Sequence, residues 1–174
     1  MSNREKFKDE KIIIGIDPGT LVTGYGIISV INGSSTPLDY GCICPPVKMK
    51  LSERYLIIFN ALETLLERYR PDALAVESQF FGCNAQSALK LGQARGIVMV
   101  VAKRLGIAIY EYTPTSVKKA VGRGNASKTQ VQELVKLLLG LQVLPEPFDA
   151  ADALAVALCH SNAVRYSQFF DKEI

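Results

Sequence analysis

The sequence predicts an α/β protein: a five-stranded mixed sheet, an antiparallel meander plus parallel strands, with helices on both faces. Three observations carry that expectation. Two short β-branched apolar runs, KIIIGID at Lys11–Asp17 and ALAVE at Ala73–Glu77, read as strands buried on both sides. Asn32-Gly33 between two alternating stretches is a strong hairpin signal. Longer segments with helical period are interleaved with further short strands.

The elements follow in turn. Residues 1–10 form a polar arm, 11–162 the domain and 163–174 a tail. After Lys11–Asp17, Pro18-Gly19-Thr20 breaks the strand; Tyr25–Ile31 and Pro37–Cys44 are the second and third strands. Leu51, Tyr55, Ile58, Leu62, Leu65 and Tyr69 recur at helical spacing, and Arg70-Pro71 ends that helix. Ala73–Glu77 is a central parallel strand beside the first. Ala85–Leu105 is a long helix whose second half, Gly96–Ala102, is apolar nearly all round. Ile107–Tyr112 is the fifth strand. Thr113-Pro114 caps a short helix to about Val121, since proline suits the first helical position. Ser127-Lys128-Thr129-Gln130 has capping-box spacing and opens a helix to Leu139; the last helix starts near Asp149 and runs to about Asn162.

Composition narrows the function classes. With 174 residues, 48% hydrophobic and 21% charged, the chain is long enough to bury a core without disulfides or a structural metal. No apolar run approaches a membrane span, and MSNREKFKDE has no hydrophobic segment behind its charges, so a cytoplasmic protein is expected. The net charge of +3 is unevenly spread: −1 over residues 1–80, +7 over 81–136 and −3 over 137–174. A basic middle suits a polyanion, although solvated helix faces produce the same count. Cys42, Cys44, Cys83 and Cys159 make no C-x-x-C pair, and His160 sits in an apolar helix, which argues against zinc.

The chemistry lies in four acids. Asp17 ends the first buried strand and Glu77 the fourth; if those strands are parallel neighbours, both carboxylates emerge at one sheet edge. Asp149 and Asp152, three apart, share a helix face near a helix start. Asp17 before Pro-Gly also suits a plain turn residue, and Asp149 a plain N-cap. Glu77 at a buried-strand exit and Asp152 within AADALAVAL are harder to explain as solvated groups. Four clustered carboxylates repel unless cations balance them. Oxygen-only donors select Mg²⁺ or Mn²⁺, and two such ions about 4 Å apart suit phosphodiester hydrolysis.

At these residues the sequence resembles the RuvC family of bacterial Holliday junction endonucleases, from about Ile12 to His160. The matching segments are IIIGIDPGTLVTGYGII, AVESQFF, NAQSALKLGQARG, SKTQVQ and DAADALAVALCH. The resemblance implies a ribonuclease-H-like fold, a homodimer, dependence on Mg²⁺ or Mn²⁺, and paired symmetric nicks in four-way junction DNA. It also implies cooperation with the RuvA–RuvB branch-migration complex in recombination and repair. The family's four acidic metal ligands fall on Asp17, Glu77, Asp149 and Asp152. Phe80 matches an aromatic that stacks at the opened junction, and Phe81 is expected to pack inward. Lys118 and Lys128 match basic residues near the scissile phosphate; Arg123 is a further DNA-contact candidate, with Lys119, Lys90 and Arg95 weaker ones. Cys83 stands where several relatives carry Lys or Arg, which puts that loop contact in doubt.

A two-fold dimer suits a junction with approximate two-fold symmetry, and the helix bearing Gly92-x-x-x-Gly96 is the candidate interface. Two other readings compete. GIDPGT resembles the first phosphate loop of the actin and sugar-kinase ATPases, but only one lobe and one such loop are present. YqgF-type ribonuclease-H-like RNA-processing proteins share the first strand, but not NAQSALKLGQARG. A nucleic-acid-binding scaffold without nuclease activity is the non-catalytic alternative, opposed by the retention of all four acids.

Overall fold

The computed structural model of the protein describes residues 9–78, 85–166 and 173–174. Strand β1 (Lys11–Asp17) occupies the centre of a five-stranded sheet. It pairs antiparallel with β2 (Thr23–Ile31), which pairs antiparallel with β3 (Ser34–Ile43). On its other side β1 runs parallel to β4 (Ala73–Glu77), and β4 parallel to β5 (Ala108–Tyr112), giving the order β3-β2-β1-β4-β5. Asn32 (φ 51°) and Gly33 (φ 77°) both adopt left-handed backbone, as a tight turn between twisted strands requires.

Strand alternation divides the core. Ile12, Ile14 and Ile16 face α1 (Leu51–Tyr69) and α2 (Ala85–Arg104), together with Ile27, Leu74, Val76 and Ile109. On the other face Ile13, Ile28 and Ala75 pack under α5 (Phe148–Tyr166). Helices α3 (Pro114–Val121) and α4 (Lys128–Leu139) cover α5 from outside. Every residue of α5 from Ala153 to His160 is buried, so this helix is apolar on all sides because it is enclosed on all sides.

The element boundaries differ from expectation by two residues or more at three places. Strand β2 begins at Thr23 rather than Tyr25, because Gly24 pairs with Asp17 on one side and Cys42 on the other. Strand β3 begins at Ser34 rather than Pro37; a register irregularity opposite Ile27 and Ile28 accommodates the proline. Helix α5 continues to Tyr166, past Asn162, with the Arg165 side chain lying over Gly33 of the hairpin. At the chain end the Ile174 amide donates to the Ile109 carbonyl (3.0 Å), and Glu173 pairs with Lys103 (2.8 Å), so these two residues lie along the β5 edge.

Candidate functional site

The site forms where β1 and β4 end. The parallel register Ile16↔Val76 carries Asp17 and Glu77 to the same edge, and alternation turns both toward the α5 face. Three glycines on that face, Gly15, Gly24 and Gly26, let α5 lie directly on the sheet. A β-carbon on Gly15 would collide with the Ala153 carbonyl and one on Gly24 with the Asp149 carbonyl; one on Gly26 would sit 2.7 Å from the Leu154 amide nitrogen. This close approach brings Asp149, in the first turn of α5, and Asp152, one turn on, toward Asp17. The buried Gln132 amide donates to the Pro145 carbonyl (2.9 Å) and pins the connection entering α5.

The electrostatics show that the four acids share one field. The Asp17 carboxyl is pushed up to about 7, first by burial and then by Glu77, Asp152 and Asp149, with Lys128 pulling the other way. Glu77 is raised by burial and by Asp152, partly offset by Lys128 and Lys118. Among the described residues no three acidic, histidine or cysteine side chains close into a finished metal cage. Asp152 pairs with Lys128. The donor set nonetheless fits a hard divalent ion: oxygen ligands only, on a group whose charged form is disfavoured by burial and by three neighbouring carboxylates.

The basic residues divide into three groups. Lys128 opens α4 above a capping box, in which the Gln130 amide donates to Ser127 Oγ (3.2 Å) and the Ser127 amide to Gln130 Oε1 (2.9 Å). Its Nζ donates to Asp152 Oδ2 at 3.1 Å. Burial works against the Lys128 charge, but the Asp152 hydrogen bond and the neighbouring carboxylates raise its pKa on balance. Lys118, on α3, is close enough to lower the pKa of Glu77. Arg123 and Lys119 are exposed, Arg123 in the loop after α3, and Lys90 is exposed on α2. Arg95 is engaged with Glu111 (2.8 Å), which leaves it poorly placed to hold a phosphate. Phe80, Phe81 and Cys83 lie outside the described residues.

Three residues near this edge carry no signal in the sequence. Cys42 lies in one row with Gly24 and Asp17 across the sheet. Burial, followed by Asp149, Cys44 and Asp17, pushes its thiol up to about 12, against the Ala150 amide hydrogen bond. Gly24 admits Asp149, and Arg54 reaches from α1 to the loop after Asp17. Only the pairing register could have located Gly24 and Cys42, and for Cys42 it depends on the irregularity between Ile27 and Ile28. His160, by contrast, is structural: buried, its Nδ1 2.8 Å from the Tyr112 hydroxyl and its ring against Tyr110 (centroids 4.4 Å apart).

Comparison with known proteins places this geometry. A family model described as "Crossover junction endodeoxyribonuclease RuvC" matches residues 13–160. The protein of that name from Protochlamydia amoebophila is 53% identical over 154 residues, covering 88% of this chain and 92% of that one. The one from Ruminiclostridium cellulolyticum is 47% identical over 155 residues, covering 88% and 93%. The structure of T. thermophilus RuvC in complex with Holliday junction substrate superposes with a TM-score of 0.85 at 34% identity, over 94% of this chain and 99% of that one. At 16% identity and a TM-score of 0.61, the yeast mitochondrial Holliday junction resolvase shares the fold. The sheet is thus the ribonuclease-H-like one expected, and a match spanning the whole core displaces the ATPase and YqgF alternatives. The chain belongs to the RuvC family of crossover junction endodeoxyribonucleases.

Proposed function

We propose that this chain is a metal-dependent endodeoxyribonuclease that resolves four-way DNA junctions by paired, symmetric nicks during recombination and repair. The observation that carries the reading is the meeting of Asp17 and Glu77, at the ends of parallel β1 and β4, with Asp149 and Asp152 of α5 in a chain of this family. Such a cluster suits a cation, and burial with the neighbouring acids raises the Asp17 carboxyl in its absence. In this reading Asp17, Glu77, Asp149 and Asp152 hold two Mg²⁺ ions, for which Mn²⁺ substitutes. When bound, they lower the pKa of water and offset the charge on a phosphodiester.

The remaining roles follow from chemistry and position. Lys128 and Lys118 neutralise phosphate beside the carboxylates, and Arg123 contacts backbone further out. Phe80 stacks on an unpaired base, a contact of about 1–3 kcal/mol that any base can satisfy. Helix α2 leaves Leu89 (63% exposed) and Val100 (60%) on the surface, and nothing stands within 4 Å of a β-carbon added at Gly92 or Gly96. That open stripe supports a homodimer, which would offer one site to each of two opposed strands. RuvA–RuvB is the proposed cellular partner and the cytoplasm the proposed compartment. Among the described residues no helix is long and apolar enough to cross a membrane.

The test incubates the protein with an end-labelled synthetic four-way junction and a matched linear duplex, with Mg²⁺ or chelator, beside Asp17→Asn. Paired nicks in the junction alone, absent with chelator and in the variant, are expected. Binding without cleavage in Mg²⁺ and Mn²⁺ over several junction sequences would instead mark a scaffold.

A further inference from the structure

The loop from Pro18 to Val22, which follows Asp17, is held from within. Thr23, fully buried, accepts the Gly19 amide at its Oγ1 (3.3 Å) and donates the same hydroxyl to the Gly19 carbonyl (2.7 Å). A β-carbon on Gly19 would collide with the Val22 carbonyl, so the turn is as tight as glycine permits. The next carbonyl, that of Thr20, accepts from Nη2 of Arg54, one turn into α1. Arg54 thus reaches the loop from the α1 side of the sheet, whereas Asp17 and α5 lie on the other.

Arg54 is an unusual residue to find there. It is only 9% exposed, and its Nε is buried with no hydrogen-bond partner among the described residues. No carboxylate pairs with it among the described residues. A buried guanidinium in that state disfavours folding, and an apolar side chain of similar length would serve the packing of α1 at least as well. Among the described residues, the hydrogen bond to Thr20 is the one interaction of Arg54 that an apolar side chain cannot reproduce.

We infer that Arg54 is a positioning residue for the nuclease reaction: it clamps the Thr20 carbonyl, holds the Pro18–Val22 loop, and through that loop fixes the Asp17 carboxylate at the end of β1. The inference rests on the nuclease reading of the site, but the clamp itself has a readout apart from cleavage. A side chain that acts on the orientation of a reacting group changes rate rather than substrate affinity, and misplacement by about 1 Å costs about 100-fold.

The experiment compares full-length wild type with Arg54→Met and Arg54→Lys. Thermal unfolding, junction affinity in chelator, single-turnover nicking in Mg²⁺ and amide hydrogen exchange of Gly19–Val22 are measured for each. Arg54→Met is expected to melt at the wild-type temperature or above, bind junction within about threefold, nick about 100-fold more slowly and exchange faster in the loop. Arg54→Lys, which keeps a donor, is expected to recover part of the rate and of the protection. Nicking by Arg54→Met within threefold of wild type would overturn the inference. So would unchanged loop exchange, or a rate loss that tracks a lower melting temperature in both variants. Failure of wild type itself to nick junctions would sink the nuclease reading, while loop exchange would still report on the clamp.

Discussion

Gly24 and Asp149 touch backbone to backbone: a β-carbon on Gly24 would collide with the Asp149 carbonyl oxygen and stand 3.2 Å from the Asp149 β-carbon. The absence of a side chain near the start of β2 therefore sets how near the first turn of α5 comes to Asp17. Gly24→Ala should push that turn off the sheet. The expected cost is about 1–3 kcal/mol of stability from overpacking, together with a loss of nicking of about 100-fold. Chemical denaturation and a single-turnover cleavage assay check the two effects separately.

Asp17 should make the metal-free protein less stable as pH rises. Its folded pKa, about 7, lies above the ordinary 3.8, so the folded state holds the extra proton between those values. Stability from this group is therefore present at low pH and is lost between about 4 and 7. Asp17→Asn removes the effect. The difference in unfolding free energy between variant and wild type in chelator should grow across that window and level off above it, reaching a few kcal/mol (about 1.4 per pK unit). His160, lowered to about 4 by burial, has the opposite slope between about 4 and 6.5, which is why the difference and not the wild-type curve is the clean measurement.

The same proton competes with the cation. The Mg²⁺ concentration giving half-maximal nicking should fall as pH rises through about 7, and chelator should abolish cleavage. Asp17→Asn and Glu77→Gln should each lose more than about 100-fold in cleavage, beyond the range of changes to residues that only support a ligand. Titrating Mg²⁺ at several pH values tests the first statement, and cleavage at saturating Mg²⁺ the second.

Lys128 bonds Asp152 at 3.1 Å and is proposed to contact phosphate. Lys128→Ala should weaken binding of all junction sequences alike and reduce the slope of log affinity against log salt by about 1. Lys118→Ala and Arg123→Ala should do the same if each meets one phosphate. Binding isotherms at four salt concentrations measure the slope.

Tyr112→Phe is expected to destabilise without silencing the enzyme. The Tyr112 hydroxyl is the partner of buried His160 Nδ1, at 2.8 Å, and its removal strands that nitrogen at a cost of about 1–3 kcal/mol. Denaturant unfolding with cleavage measured at a temperature well below the transition separates the two.

The elements legible in the sequence are those whose determinants are local. The Lys11–Asp17 and Ala73–Glu77 strands, the 19-residue helix from Leu51 to Tyr69, the Asn32-Gly33 turn and the Ser127 capping box were expected at or near their observed positions. Each is written in a period, a turn dipeptide or a cap, which act over a few residues. Asp17, Glu77, Asp149 and Asp152, the acids proposed to hold metal, drew attention for a related reason: Asp17 and Glu77 end strands, Asp149 lies in the first turn of α5 and Asp152 interrupts an apolar stretch, and a carboxylate in such a context calls for an explanation.

What lies across the sheet was not legible. Cys42 beside Asp149, Gly24 under α5 and Arg54 behind the Pro18–Val22 loop depend on register and on helix placement over many residues of separation. Strand pairing does not announce its register when an irregularity such as that between Ile27 and Ile28 shifts it by a residue. By itself, then, the sequence determined the kinds and order of the elements, the family and the acids proposed to bear the chemistry. The tertiary structure alone decided how closely those acids approach. The pKa of Asp17 depends on burial and on charges from three other elements, and no local pattern can encode a field that exists only once those elements have packed.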